Sequence, residues 1–299
     1  MISFMKLSKL FLPLSAVLVA VSVVLFFVPG PNISIEFTGG TLMEIGLPAD
    51  TTKERFIEVA NAWQNEPPLG NVSVSATKNG SLLVRMRTIS NDEHLALVAH
   101  LEKELGTLQE LQYTTIGPTV GSTLKVRSLW ALAIACVAIV LYLTIAFRKV
   151  PKTLSPWAFG ISAIITLVHD IVIVVGLFTI LSHYTTFQLD TLFVTALLST
   201  MGYSVSDTIV IFDRIRDNLF LEGKRNVDFE ELADRSLRQS FTRTINTGLG
   251  ALIMLCALFF FGSESLRWFI LALISGTVIG TYSSYFIATP LLVYWKKRS

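Results

Sequence analysis

A lipid bilayer has a hydrocarbon core about 30 Å thick, crossed by roughly 20 residues of helix because no water is present to satisfy unpaired backbone groups. The 299-residue chain contains six apolar runs that meet this requirement: Leu10 to Val28, Leu129 to Phe147, Trp157 to Leu181, Leu192 to Phe212, Thr244 to Gly262 and Trp268 to Trp295. Only 15% of its residues are charged and 52% are apolar, whereas soluble proteins carry about 25% charge. A soluble nucleic-acid binder, a cytosolic hydrolase and a disordered scaffold are excluded, since none could cover its surface with so little charge. The first run is too long for a signal-peptide core and lacks a small-x-small cleavage site before Pro29-Gly30-Pro31, so it reads as a retained anchor. Cys136 and Cys256 lie inside apolar runs, without metal or disulfide spacing, and are expected to be buried thiols.

Six spans place both termini on one side, and the basic residues select which. Lys6 and Lys9 precede the first span, Arg148, Lys149 and Lys152 join the second to the third, and Lys296, Lys297 and Arg298 close the chain. The connection between spans four and five is richest, with Arg214, Arg216, Lys224, Arg225, Arg235, Arg238 and Arg243, while the short opposite loops contribute only Arg267. The positive-inside rule therefore predicts cytoplasmic termini, with Lys125 and Arg127 a minor contrary signal. The expected division is 1–28 for the tail and first span, 29–127 for an outer domain, and 128–299 for the other five spans with a cytoplasmic loop over 213–243.

The outer segment reads as a small α+β domain. Strands are predicted at Thr41 to Leu47, Asn71 to Thr77, Leu82 to Thr88 and, more weakly, Leu108 to Ile116, with a hairpin signal at Asn79-Gly80. Thr51 to Trp63 carries a capping box, Thr51-x-x-Glu54, before Phe56, Val59, Ala60 and Trp63; Asn91 to Leu105 places Leu95, Val98, Leu101 and Leu105 on one face. Strand-helix-strand-strand-helix-strand is the ferredoxin-like order. The Gly39-Gly40 pair is placed for a tight turn into this domain.

An ionisable side chain at the centre of a spanning helix costs at least roughly 2.5–3.5 kcal/mol unless partnered. His169 and Asp170 lie mid-way along the third run, and Asp207 lies in the fourth beside Ser204, Ser206 and Thr208. Asp207 is about five residues, or roughly 8 Å, from the cytoplasmic end of its run. Arg243 enters the fifth run from that side, so a compensated Asp207–Arg243 pair supported by Thr244 and Thr247 is expected. Protonating Asp207 would release it and give a two-state element. For His169 and Asp170, a structural part in hydrogen bonding or pairing stands equally with a functional one. Asp213-Arg214-x-Arg216-Asp217 reads as a charged helix end or a docking surface, and Gly276-x-x-x-Gly280 as close helix packing.

Several of these motifs carry a resemblance. Ile35-Glu-Phe-Thr-Gly-Gly-Thr41, Ile116-Gly-Pro-Thr-Val-Gly121, His169-Asp170, Gly202-Tyr203-Ser-x-x-Asp-Thr208 running into Val210-Ile-Phe-Asp213-Arg214-Ile-Arg216, and Arg243-Thr244 resemble the SecD/SecF family, a branch of the resistance-nodulation-division (RND) superfamily. The resemblance covers nearly the whole chain. It implies an RND-type half of six transmembrane helices with one periplasmic ferredoxin-like domain, in the bacterial inner membrane. It implies an accessory of the Sec export channel that uses the proton gradient to draw polypeptides outward, with no cofactor. Asp207 matches the family's proton-relay aspartate and Arg243 its basic counterpart, with Asp170 and His169 as further relay candidates. Glu36 stands where the family more often has Asp, and Val205-Ser206 where it has an aliphatic-Asn pair. The implied partners are SecD, the SecYEG channel with YajC as a further candidate, an unfolded polypeptide in transit and membrane lipid, but no nucleic acid.

No Gly-x-x-x-x-Gly-Lys-Ser/Thr sequence offers a nucleotide as the energy source. An RND-type exporter subunit for a lipid or small molecule remains open. An intramembrane aspartyl protease is disfavoured, because Asp170 follows His and Asp207 lacks a Gly-x-Gly-Asp context. An enzyme is not expected.

Overall fold

The structure, a computed structural model, describes residues 3–48, 51–63, 67–70, 72–77, 80–148, 155–222 and 228–298. Two compact units are present. One comprises Met1–Pro31, Trp130–His183 and Leu192–Ser299, the other Asn32–Leu129 with Tyr184–Thr191.

The second unit contains α2 (Ile35–Thr38), β1 (Gly40–Gly46), α3 (Lys53–Ala62), β2 (Ser73–Ala76), β3 (Ser81–Met86), α4 (Asn91–Leu105) and β4 (Gln109–Ile116). The strands form one antiparallel sheet in the order β2-β3-β1-β4, with Met43 opposite Val84 on one side and Tyr113 on the other. This is the predicted ferredoxin-like arrangement. Alternation buries Met43 and Ile45 of β1 with Leu82, Val84 and Met86 of β3, and Phe56, Val59 and Ala60 of α3 and Leu97 and Leu101 of α4 cover them.

Two local expectations are corrected. The cap of α3 is Thr52, whose hydroxyl accepts from the Arg55 N–H at 3.3 Å, and not Thr51. A complete capping box forms instead at Ser90 and Glu93, before α4. In α4 the inward face runs through His94, Leu97 and Leu101, with Leu95 exposed. His94 is drawn in because its ring stacks on Tyr113 at 3.8 Å and its Nε2 lies 3.1 Å from both Glu110 carboxylate oxygens. Asn71 and Asn79 of the predicted strand and hairpin lie outside the described residues.

Six helices are long and apolar enough to cross a membrane: α1 (Phe4–Phe27), α5 (Pro118–Ala146), α6 (Pro156–Tyr184), α7 (Thr191–Glu222), α8 (Phe229–Phe261) and a composite span from Glu264 to Lys297. The composite span consists of α9 (Arg267–Ser283), a π-helical turn over Ser284–Ala288, and α10 (Thr289–Arg298). The chain is a multi-pass membrane protein. Every span starts before the apolar run that announced it, because hydropathy marks the hydrocarbon and not the helix ends. The expected loop at 213–243 is therefore largely helical, with α7 continuing to Glu222 and α8 starting at Phe229. Lys149, Lys152, Lys224 and Arg225 lie outside the described residues.

Half of the apolar window in α7 and in the composite span is buried, against 11% in α1 and α8 and 6% in α5. The core of the membrane unit is accordingly α6, α7 and the last span. Phe147 stacks on Phe159 at 4.8 Å, and Phe212 meets Phe159 edge-on at 5.3 Å, joining α6 and α7 at one end. Asp234 of α8 accepts from the Met5 N–H at 3.0 Å and so caps the start of α1. The peripheral position of α5 and α8 overturns the expectation of buried thiols: Cys136 is half-buried and Cys256 exposed.

Candidate functional site

The polar groups of the membrane unit gather where α6, α7 and the last span meet. Asp170, 7% exposed, is the centre of one cluster. Its Oδ2 accepts from the Ser204 hydroxyl of α7 at 2.6 Å and from the Ser283 hydroxyl of α9 at 2.8 Å. Its Oδ1 lies 2.9 Å from His169 Nδ1. Three helices are thus joined through one carboxylate. The other ring nitrogen of His169, Nε2, is buried without a hydrogen-bond partner among the described residues, so the imidazole retains a free proton donor or acceptor position at membrane depth.

One turn further along α7, Asp207 is 4% exposed and its Oδ2 accepts from Thr281 Oγ1 at 3.3 Å. Thr281 Oγ1 is 3.2 Å from the Tyr203 hydroxyl, so Tyr203, Thr281 and Asp207 form a chain of exchangeable hydrogens between α7 and α9. Thr208 meets Ser284 at 2.9 Å at the start of the π-helical turn, and the Ser284 hydroxyl donates back to the Gly280 carbonyl at 2.9 Å. A π-helical turn carries an extra residue per hydrogen-bonded loop and commonly marks functional positions.

Glycines allow this approach. A Cβ on Gly276 would lie 2.3 Å from Thr200 Cγ2, and one on Gly280 would lie 2.9 Å from Ser204 Cβ. The small-xxx-small motif is therefore the seam between α9 and α7.

Other predicted residues are placed differently. The ion pairs among the described residues do not include Asp207 with Arg243; Arg243 is exposed on α8, and Thr247, also exposed, donates to the Arg243 carbonyl at 2.9 Å. The expected pair counted distance along two helices but not rotation about their axes. Ser206 and Gly202 likewise face outward, and a Cβ on Gly202 would meet nothing. Asp213 bonds Arg216 at 2.5 Å, which also approaches Asp217 at 3.7 Å, while Arg214 is exposed. The helix end compensates its own charge.

In the outer unit, Gly39 has φ +74°, and a Cβ there would lie 2.8 Å from Pro118 Cα. A Cβ on Gly40, φ +134°, would lie 2.9 Å from the Met86 carbonyl oxygen. The pair turns the chain from α2 into β1 against the start of α5, where a side chain has neither the backbone conformation nor the space.

Residues 97–298 match the family described as "Protein export membrane protein SecD/SecF, C-terminal". The chain belongs to the SecD/SecF family. It is 37% identical to the protein translocase subunit SecF of Thermobaculum terrenum, over 100% of this chain and 95% of that protein, and 37% identical to that of Anaerolinea thermophila over 99% and 94%. The crystal structure of SecDF from Thermus thermophilus superimposes with a TM-score of 0.84 at 31% identity, covering 99% of this chain and 39% of the SecDF chain. A second SecDF structure, in a super-membrane-facing form, gives 0.69 at 30% identity over the same shares. Nearly equal identity and the same coverage with unequal superposition mean that the two SecDF structures differ in conformation.

The SecD/SecF motifs pointed to α6 and α7 but missed half of the cluster. Thr281, Ser283 and Ser284 belong to the last span, and the available signal is the polar run Thr281-Tyr282-Ser283-Ser284 inside the sixth apolar stretch.

Proposed function

We propose that this chain is a SecF-type translocase subunit that converts proton movement across the inner membrane into assistance of polypeptide export, paired with a SecD-type six-span partner. One observation carries the proposal: in a family of export proteins, two carboxylates buried at membrane depth are held, among the described residues, by hydroxyls and a histidine, all groups that can exchange protons. A buried carboxylate paired with a fixed cation would stay charged. One whose neighbours are Ser, Thr and Tyr can take up a proton and retain its hydrogen bonds with donors and acceptors reversed.

Asp207 is the gate in this reading. Deprotonated, it accepts from Thr281; protonated, it becomes a donor, and the contact between α7 and α9 is rearranged. Asp170, with His169, Ser204 and Ser283, forms the neighbouring proton-holding group. Arg243 makes no ion pair with Asp207 among the described residues and, entering its apolar run from the cytoplasmic side, belongs in this reading to the proton exit. One elementary charge falling through 100 mV supplies about 2.3 kcal/mol. That shifts a two-state equilibrium by about 50-fold.

The basic connections support a reading with both termini in the cytoplasm and the ferredoxin-like unit in the periplasm. There it meets the emerging unfolded chain together with SecD, next to the SecYEG channel, with YajC as an additional neighbour. The fusion of SecD and SecF in the T. thermophilus protein supports the SecD pairing. The deciding experiment replaces Asp207 with Asn and measures gradient-stimulated export in inverted vesicles. Loss of the stimulation with ATP-driven export intact is expected; full stimulation in the variant would refute the relay.

A further inference from the structure

The short connection between α6 and α7 groups with the outer unit and not with the helices it joins: Tyr184–Thr191 belongs to the same compact body as Asn32–Leu129. The reason is a set of backbone bonds. The Leu189 N–H donates to the Asn32 carbonyl at 2.8 Å, the Ser34 N–H donates to the Leu189 carbonyl at 2.8 Å, and Ile33 and Leu189 form a parallel bridge. Two residues on, Glu36 Oε2 accepts from the Thr191 N–H at 2.8 Å and from the Thr191 hydroxyl. Thr191 is the first residue of α7, so the Glu36 carboxylate occupies the helix N-terminus, where unpaired N–H groups and the helix dipole favour an anion.

We infer that Glu36 is a positioning residue that latches the head of α7 to the outer domain, so that the helix carrying Ser204 and Asp207 and the domain that meets the polypeptide move as linked parts. The segment bearing Glu36 is itself fixed to that domain. Ser34 caps α2 by accepting from the Glu36 N–H at 3.3 Å, and Gly39 and Gly121 pack so closely that a Cβ on Gly121 would lie 2.7 Å from the Gly39 nitrogen. The latch therefore has a rigid mount at one end and a helix terminus at the other. The backbone bonds from residues 32–34 set the register, and the carboxylate adds a contact made directly to the first residue of α7. A charge-assisted bond to a helix terminus is among the stronger single contacts available to a surface side chain.

This inference rests on the proton-driven reading and has its own test. The full chain with its SecD-type partner is placed in vesicles under a proton gradient, and export and proton flux are both measured per folded complex. Glu36→Ala is expected to lower the export obtained per proton about tenfold, the scale of one charge-assisted hydrogen bond, with proton flux retained. Glu36→Gln, which keeps an acceptor oxygen in place, is expected to restore most of the ratio. Asp207→Asn, in contrast, is expected to abolish both quantities.

An unchanged ratio in Glu36→Ala, or a parallel fall of export and flux, overturns the latch while leaving the relay standing. Retention of both in Asp207→Asn overturns the relay itself. If Glu36→Ala does not accumulate, Thr191→Val removes the hydroxyl donor and keeps the backbone one. A ratio lowered about threefold is then expected, and an unchanged ratio overturns the latch.

Discussion

The Asp170 carboxylate receives two serine hydroxyls and a histidine from three directions, and this decides how its substitution will behave. Asp170→Ala strands the Ser204 hydroxyl and His169 Nδ1 in the buried helix junction, each at about 1–3 kcal/mol, while the Ser283 hydroxyl keeps the Gly280 carbonyl at 3.1 Å. Asp170→Asn keeps an acceptor oxygen and a similar shape. Thermal unfolding of purified chain in detergent should show a large drop for the alanine variant and a small one for asparagine; equal drops would mean that the cluster does not hold the helices. A second residue-scale prediction lies outside the membrane. Arg87 bonds both Glu93 carboxylate oxygens, at 2.6 and 3.2 Å, and the Ser90 N–H adds a third bond at 2.8 Å. The Arg87 side chain first, and the Ser90 backbone next, hold the Glu93 carboxyl down at about 2, against the ordinary 4.5. A folded value below the unfolded one stabilises the domain at neutral pH, and the contribution is lost as pH falls from about 4.5 through about 2. Hydrogen exchange at the start of α4 should therefore accelerate across that window, and Glu93→Gln should remove the pH dependence; a persistent step in the variant would assign it to another group. At this scale the sequence revealed which residues carry charge at depth, because cost alone singles them out. It did not reveal their partners, because Ser206 and Ser204 are equally polar neighbours of Asp207 and only helix rotation sends one outward and the other to Asp170.

Helices and strands were largely legible, for physical reasons that differ between the two units. In the outer domain, alternation and turn residues identify strands to within one or two positions, and α4 was predicted at its observed bounds. In the membrane unit, apolar runs announce the spans but hide their internal irregularity: no pattern of hydropathy distinguishes Ser284–Ala288 as a π-helical turn from the α-helix on either side. That turn matters because α9 enters it directly after Gly276 and Gly280 bring its backbone against Thr200 and Ser204. Gly276→Val is expected to wedge α9 from α7, since its Cβ alone would stand 2.6 Å from Thr200 Cβ. Overpacking of this kind costs about 1–3 kcal/mol. Stability and gradient-stimulated export should fall together, and Thr200→Ala should recover part of both by returning the space. Failure of that second substitution to help would place the damage elsewhere than at this seam.

At the scale of the whole molecule, the two SecDF structures supply the constraint. Superposition falls from 0.84 to 0.69 with no change in coverage, so those two SecDF structures differ in arrangement, and the proposed proton-driven cycle requires a group whose charge selects between two such states. A ligand, here a proton, shifts such an equilibrium only by its differential affinity for the two states. If Asp207 is that group, Asp207→Asn, a permanent analogue of the protonated carboxyl, removes the selection and fixes one population. Spin labels placed on α7 and on the last span of the full chain, in complex with its SecD-type partner, should report two distance populations in the unsubstituted protein. Their ratio should change with pH, while the asparagine variant holds a single pH-independent distribution. Two populations with the same pH response in both proteins would transfer the switch from Asp207 to another titrating group. Asp170 with His169 would then be the next to substitute, because among the described residues it is the other carboxylate joined to both α7 and the last span through exchangeable hydrogens.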